Sequence, residues 1–323
     1  MPRLASKTRK PARSELGISL GRDWMQRHAT VPQAPPLFHY TGAAAIRGIL
    51  QSGRLWASGA QYMNDWMEVV YGYNIIMTSL RKLVEKKKAP ERSIVIFKDV
   101  LRLMESPDSP FIDAYFVAFC EKGNLLSQWR AYAGTQGFAI EFDPLVIKGE
   151  LTLTTDAPAR NLRLAKVDYD PKQQAKNFHQ LIEELSDTIE NAKRNISDES
   201  ISPTLVEFTR MVLSSWAATV KHPGFEEEQE WRVIFQPLIT AEEKYLSTSE
   251  FVVRLEGPEF VTHVEFMPDK KVLGKRNPLL PIKSIICGPT VSMRTALRAL
   301  EILLRNNGYE GVQIQRSEIP ARS

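Results

Sequence analysis

The chain has 323 residues, of which 43% are hydrophobic and 25% are charged, and its formal net charge is +4. These values are ordinary for a soluble globular protein of one or two domains. Five histidines and two well-separated cysteines, Cys120 and Cys287, argue against zinc ribbons and disulfide scaffolds and fit a reducing compartment.

The first 34 residues carry much of the positive charge. Residues 1–22 hold six lysines and arginines against one acid, Glu15. We expect residues 1–34 to form a disordered basic arm, and the alternative is weak contact with nucleic acid. The arm lacks the apolar segment of a secretory signal, and no apolar run approaches the ~18 residues that cross a bilayer. We therefore expect a cytoplasmic protein without membrane contact.

A short strand, LFHYT, begins the predicted domain, which spans residues 35–321. Alternation places Leu37, His39 and Thr41 on one face and Phe38 and Tyr40 on the other. Thr41 is the predicted cap of the next helix. His39 has two interpretations: a strand histidine bonded to backbone, or an imidazole that orients a ligand.

The middle of the chain alternates helices and strands without a strict order. A helix opens at NDWMEV, where Asp65 and Glu68 form a capping-box pattern that explains Glu68 without chemistry. A second helix is predicted at 91–104, and AYFVAFC is a buried strand. In the short helix LLSQWRAYAG, Trp129 and Tyr132 are three residues apart and form one aromatic wall. That wall is either core or a surface that stacks a flat ring.

Two long helices start at Pro171 and Pro203, where proline suits a first turn. They form a predicted helical insertion at about 171–221. Strand-rich sequence follows, ending in a helix at 292–306 and the strand VQIQ. Because strands and helices do not alternate strictly, we predict an α+β fold with a mixed or antiparallel sheet.

The segment FEEEQEWRVIFQ, residues 225–236, places charge beside a hydrophobic strand. Trp231, Val233 and Phe235 alternate toward the core, whereas Glu228, Glu230 and Arg232 share the other face, about 6.5 Å apart in succession. The row is either a solvated, self-neutralising surface or charge fixed on a rigid element for a site.

Several common motifs are missing from the sequence. It contains no phosphate-binding loop, dinucleotide-binding glycine fingerprint, H-E-x-x-H pair or G-x-S-x-G elbow. If the protein is an enzyme, its site is built from scattered polar residues.

Several stretches together resemble a bacterial family known as domain of unknown function 2971. They are FHYT with GILQSGRLWAS, then YMNDWME, FVAFCEKGNLLSQWRAYAGTQGFAIEFD, FEEEQEWRVI and the ending from IICGPTVS to SEIPAR. The resemblance spans roughly residues 36–321, and the family name implies no activity.

A second resemblance is to the histidine-type ADP-ribosyltransferases. His39 on a strand ending in threonine is similar to their first motif, and Glu228 with Glu230 resembles their E-x-E loop. The middle motif departs from the family pattern at 119–121, so Ser127 or Tyr132 would have to serve. The resemblance implies an ADP-ribosyltransferase fold in which His39 and Glu230 meet across a pocket sized for a dinucleotide.

The same resemblance implies NAD as the substrate, in a toxin or phage-defence setting, with a protein or nucleic-acid acceptor. Glu230 would stabilise the positive charge that develops on the ribose, Glu228 would activate the acceptor, and His39 would fix the cofactor. The implied cofactor-binding residues are His39, Tyr40, Thr41, Ser127, Trp129, Arg130, Tyr132 and Arg232. Arg232 could instead pair with the two glutamates.

Two other functions remain open from the sequence. The basic arm and aromatic residues suit a nucleic-acid-binding module without catalysis. Glu228 and Glu230, with Asp65, Glu141 and Asp143 as further carboxylates, suit a hydrolase or nuclease that uses a divalent ion, although no metal-binding spacing is present.

Overall fold

A computed structural model describes residues 20, 24, 34–62, 66–106, 114–134, 136–143, 151–153, 162–192, 198–236, 251–256, 259–268 and 278–320. Most of the predicted basic arm and Asp65 of the predicted capping box lie outside these residues. Within the arm, the side chain of Trp24 is 3% exposed and belongs to the core beneath the long helices.

The described chain combines eleven strands with seven α-helices. The strands are β1 Leu37–Gly42, β2 Leu55–Gly59, β3 Tyr115–Cys120, β4 Gly137–Phe142, β5 Leu151–Leu153, β6 Leu162–Lys166, β7 Glu230–Phe235, β8 Phe251–Glu256, β9 Glu259–Pro268, β10 Ile282–Cys287 and β11 Gln313–Arg316. The helices are α1 Ala43–Ser52, α2 Trp66–Glu85, α3 Glu91–Glu105, α4 Leu126–Tyr132, α5 Pro171–Ala192, α6 Asp198–Ala217 and α7 Met293–Asn306.

All eleven strands belong to one sheet. Its main path runs β11-β10-β4-β1-β3-β2-β9-β5, with β8 paired to β9, and β6 joined through β7 to β3. Among these strands, β10 and β11 run parallel and the other pairs are antiparallel. The predicted α+β fold with a mixed, mostly antiparallel sheet is therefore confirmed.

The sheet separates beside its central strand, β3. On one edge β3 pairs with β7 along its whole length, from Tyr115 to Cys120. On the other edge it pairs with β1 only at Cys120 and with β2 only at Tyr115 and Phe116. Residues 117–119 therefore face no described strand on that edge, and a gap opens between β1 and β2.

Apolar side chains cover both faces of the sheet. On one face a cluster that includes Leu37, Trp231 and Val233 packs beneath α1 and α7. On the other face α2, α3, α5 and α6 pack as a helical layer, which meets the sheet at Phe116 and Ile234. A small third cluster joins Tyr40 to Trp129 beside the gap. None of the described helices is long and apolar enough to cross a membrane.

Two predicted helix starts are wrong. Thr41 belongs to β1, and Gly42 occupies the N-cap of α1 without a side-chain cap hydrogen bond. Thr41 is buried in the sheet instead, where strand pairing with β4 continues through Gly42. Helix α6 begins at Asp198, five residues before Pro203, so Pro203 lies inside the helix rather than at its first turn.

Candidate active site

The gap beside β3 opens into a cavity of about 220 Å³, here called the glutamate cavity. Its floor is the free edge of β3, and β1, β2, α4 and the segment before β7 form its walls. The lining residues are Phe38, His39, Tyr40, Trp56, Ser58, Tyr62, Phe116, Val117, Ala118, Phe119, Cys120, Gln128, Tyr132, Glu228, Glu230 and Arg254. The front of the chain and its last third therefore meet at one cavity.

The two glutamates belong to different elements. Glu228 ends a 3₁₀ helix at Pro223–Glu228, and Glu230 begins β7. Between them Gln229 adopts a left-handed backbone conformation with φ of 43°, a strained geometry for a residue other than glycine. This turn replaces the continuous strand that the alternation of charges predicts.

A buried lysine, Lys221, bridges both carboxylates. Its Nζ lies 2.5 Å from Glu228 Oε2 and 3.3 Å from Glu230 Oε2, and the lysine side chain is 1% exposed. Arg232 donates from Nε to Glu230 Oε1 at 2.6 Å and from Nη2 to Glu230 Oε2 at 2.9 Å. Two acids and two bases thus form a charge-balanced group, as buried charges require.

The surroundings shift the pKa values of the two glutamates in opposite directions. Burial raises the pKa of Glu228, and the attraction of Lys221 offsets only part of that effect. Burial by itself would also raise the pKa of Glu230, but Arg232 and Lys221 together outweigh it and hold that pKa below its ordinary value. A pair of acids separated in this way can divide the roles of proton carrier and fixed negative charge.

His39 reaches across the gap in the sheet. Its Nδ1 lies 3.0 Å from the carbonyl oxygen of Ala118, in the part of β3 that no described strand faces on that edge. A carbonyl can only accept, so Nδ1 carries the proton and Nε2 is left as an acceptor. Burial lowers the pKa of His39, against the opposing effect of the Ala118 bond, and this favours the neutral ring. The interpretation of His39 as a strand histidine bonded to backbone is confirmed, whereas its role in orienting a ligand stays a prediction.

Tyr40 shapes the cavity wall through its hydroxyl group. The hydroxyl donates to the carbonyl of Lys122 at 2.7 Å and accepts from the amide of Leu125 at 2.9 Å. These bonds fix the loop before α4 against β1. Tyr40 lines the cavity through its ring, and its hydroxyl is engaged within the protein.

The predicted aromatic wall of Trp129 and Tyr132 is wrong, because the two rings line different cavities. Tyr132 faces the glutamate cavity and is 38% exposed. Trp129 is buried, packs edge-on against Tyr40 at 4.8 Å between ring centres, and donates from Nε1 to Asn124 Oδ1. Trp129 and Arg130 line a second cavity of about 450 Å³ near Pro320.

Three further cofactor-binding predictions do not match the glutamate cavity. Thr41 and Ser127 do not line it, and the Ser127 hydroxyl is buried without a described hydrogen-bond partner. Arg232 lies behind Glu230 and is 3% exposed. Its guanidinium donates to Glu230 and to the carbonyl of Ala218 and stacks on Phe116 at 4.3 Å. The alternative pairing of Arg232 with a glutamate is the one the structure shows, because burial demands a neutralising partner.

Of the two interpretations of the charged row, the solvated surface is wrong. Every residue of β7 is buried, including Glu230 and Arg232. Helices cover the face that carries them, while Trp231, Val233 and Phe235 face the other core as predicted. Strand alternation identified the two faces correctly but gave no information on whether the second face was covered.

Among the site residues that the sequence did not indicate are Lys221, Gln128, Trp56 and Arg254. In the sequence, Lys221 is an ordinary cation at a predicted helix end, five residues before the first acid of the run at 226–228. Gln128 is four residues before Tyr132, and this helical spacing was a usable signal. Trp56 and Arg254 reach the cavity from β2 and β8, and no pattern in the sequence links those strands.

One family comparison matches the part of the chain that carries the two glutamates. Residues 128–233 match the family described as Protein of unknown function (DUF2971). The predicted resemblance to this family is confirmed over those residues, a narrower range than the predicted 36–321. The matched segment runs from Gln128 through Glu228 and Glu230 to Val233, so it includes both acids and excludes His39.

Two further comparisons returned nothing. No curated protein and no solved structure matches the chain. The resemblance to ADP-ribosyltransferases therefore stays a prediction. Within the described residues no group of three His, Cys, Asp or Glu side chains is placed to hold a metal ion.

Proposed function

We propose that the glutamate cavity cleaves the nicotinamide–ribose bond of NAD and transfers the ADP-ribosyl group to water or to a macromolecular acceptor. The observation that carries this proposal is the convergence of His39, Glu228 and Glu230 on one cavity. The gap in the sheet supports the finer prediction of an ADP-ribosyltransferase-like fold, since it supplies a cleft over a central strand.

The chemistry assigns a separate role to each acid. As the C1′–N bond breaks, its electron pair leaves with the nicotinamide nitrogen, and positive charge develops on the ribose. The ionised Glu230 stabilises that charge. The attacking oxygen forms the new bond to C1′ and gives its proton to Glu228, whose raised pKa suits a general base.

Glu230 retains room for a substrate hydroxyl. A carboxylate offers about four acceptor positions, and Arg232 and Lys221 occupy three of them in the described structure. The remaining position on Oε1 suits a ribose hydroxyl. His39 would accept a second hydroxyl through Nε2, and Tyr132 would stack on the nicotinamide ring.

The cavity is smaller than the dinucleotide pocket that the resemblance implies. Its volume of about 220 Å³ lies below the ~300–1,000 Å³ of common ligand pockets. It suits the nicotinamide and its ribose, so the rest of NAD would extend over the rim.

The test is release of free nicotinamide from NAD by the purified full chain. We expect release by the wild type and a loss of at least about 100-fold in Glu230→Gln, in the range typical for removing one electrostatic stabiliser. Glu227→Gln is the matched control, because Glu227 is exposed on the same 3₁₀ helix and should leave activity unchanged. Absence of release by the wild type, or equal release by Glu230→Gln, would overturn the proposal.

Folding of each variant needs its own measurement. Glu230→Gln leaves Lys221 and Arg232 without one of their partners, which costs stability. A thermal melt of each variant separates loss of the folded state from loss of chemistry. Glu228→Gln keeps the Arg232–Glu230 pair and supplies a second, less disruptive variant.

A further inference from the structure

The rim of the glutamate cavity carries an exposed tryptophan. Trp56 is 51% exposed, although it lines the cavity together with Ser58 from the same strand face. A single exposed aromatic side chain is ordinary on a protein surface. The position of Trp56, beside the buried acids and next to a cation, is what makes it informative.

The ring of Trp56 is held in a fixed orientation. His263 on the neighbouring strand packs against it, with ring centres 4.5 Å apart and an angle of 34° between the planes. His263 is 1% exposed, and neither of its ring nitrogens has a described hydrogen-bond partner. Glu265, the residue opposite Trp56 on β9, is in turn paired with Arg54. The histidine thus serves as an apolar backing that keeps the indole face presented at the rim.

Arg254 supplies positive charge at the same rim. Its guanidinium lies 5.4 Å from the centre of the Trp56 ring, and the residue lines the cavity. This contact is looser than the 4.3 Å stacking of Arg232 on Phe116 in the buried group. Arg254 belongs to the lining itself, whereas Lys221 and Arg232 contact the two glutamates and are not among the described lining residues.

We propose that Trp56 and Arg254 form a nucleoside-phosphate subsite at the rim of the glutamate cavity. The indole stacks on the base, and the guanidinium donates to the phosphate oxygens. A flat aromatic ring stacks on any base, and a planar guanidinium matches phosphate geometry. For the identity of the ligand, the inference rests on the proposed function. The subsite binds the nucleoside-phosphate part of the dinucleotide, which the cavity is too small to enclose.

The test uses ADP-ribose as the probe, because binding of ADP-ribose requires no bond cleavage. We expect the full chain to bind ADP-ribose more tightly than ribose 5-phosphate in a calorimetric titration. Trp56→Ala should weaken ADP-ribose binding by about 5-fold to 100-fold, the range for loss of one stacked base. Trp56→Phe should retain most of the affinity, and binding of ribose 5-phosphate should not change.

The matched control and the second variant isolate the two contacts. Leu255→Ala removes an exposed apolar side chain from the opposite face of β8 and should leave binding unchanged. Arg254→Gln should weaken binding of ADP-ribose but not of adenosine, which has no phosphate. Equal affinity of the wild type and Trp56→Ala for ADP-ribose would overturn the subsite, as would a wild type that binds no ADP-ribose.

The result can be told apart from failure of the proposed function. Trp56-dependent binding of ADP-ribose without nicotinamide release would support the subsite and overturn the cleavage reaction. Nicotinamide release together with unchanged binding in Trp56→Ala would support the reaction and overturn the subsite.

Discussion

At the scale of single residues, the site depends on two glutamates in unequal surroundings. Both are near the same ammonium group of Lys221, but only Glu230 also has the guanidinium of Arg232 on both oxygens. The result is one carboxyl that stays ionised and one whose pKa is raised by burial. Lys221 lowers the pKa of both carboxyls, so the two hydrogen bonds from Arg232 to Glu230 account for the difference between them.

The raised pKa of Glu228 predicts the acid side of the pH–activity profile. A general base works only when it is ionised, so nicotinamide release should rise as pH increases through the raised pKa of Glu228. We expect Glu228→Gln to lose this pH-dependent rise and to reduce activity by about 100-fold or more. The measurement is kcat/KM against pH for the wild type and Glu228→Gln. An identical rise in both proteins would assign the titration to another group.

Cys120 also lines the glutamate cavity, but its thiol is not suited to react with a substrate. Burial raises the pKa of its thiol to about 11, so the thiolate is scarce at neutral pH. Its Sγ accepts a hydrogen bond from the amide of Lys122. The thiol therefore packs as a small apolar group in the wall rather than serving as a nucleophile.

At the scale of elements, two helices pack closely beside the segment that carries Lys221. Gly72 in α2 meets Ala217 near the end of α6, four residues before Lys221. A Cβ at Gly72 would lie 2.8 Å from the carbonyl oxygen of Ala217. Helices α2 and α6 can thus pack this closely at the end of α6 only because Gly72 has no side chain.

Substitution of two helical glycines by alanine should have opposite effects on stability. Gly72→Ala gains about 1 kcal/mol of helix propensity but forces backbone apart, and overpacking costs about 1–3 kcal/mol, so we expect net destabilisation. Gly48→Ala in α1 gains the same propensity, and its Cβ would meet nothing within 4 Å, so we expect stabilisation of about 0.5–1 kcal/mol. Urea unfolding of both variants is the measurement. Stabilisation of both would show that α2 and α6 can separate at little cost.

At the scale of the whole molecule, the buried charges connect the helical layer to the sheet. Lys221 follows α6, Glu230 and Arg232 belong to β7, and Arg232 also donates to the carbonyl of Ala218 after α6. Buried pairs are screened less by salt than exposed ones, so this link should persist at high ionic strength. It holds the helical layer against the strand that carries Glu230.

This link makes stability depend on pH in a defined direction. The folded pKa of Glu230 is below its unfolded value, which is about 4.3. Its ionisation therefore contributes stability that is fully present above pH ~4.3 and is lost as pH falls through the folded pKa. We expect the difference in free energy of unfolding between the wild type and Glu230→Gln to shrink over that acidic range. Chemical denaturation at a series of pH values measures it, with Glu227→Gln as the control that should follow the wild type throughout.

The fold class and most of the helices and strands could be predicted from the sequence. Periodicity located strands such as β1 and β7 and the helix at Glu91–Glu105, because hydrophobic spacing is a local property of the chain. It also drew attention to His39, Glu228 and Glu230, since charge or imidazole inside an apolar strand is unusual. It misplaced the starts of α1 and α6, because strand pairing at Thr41 overrides a local capping signal and because α6 begins five residues before Pro203.

The surroundings of those residues depend on which distant parts of the chain meet in the folded protein. The pairing of β3 with β1 and β2 at its two ends opens the cavity, and no local pattern encodes which strands meet. Because β7 is buried on both faces, the charges of Glu228, Glu230 and Arg232 are balanced among themselves and by Lys221. Uncompensated charge is costly once water is removed. The site thus depends on contacts between residues far apart in sequence, whereas the elements that carry it depend on the spacing of near neighbours.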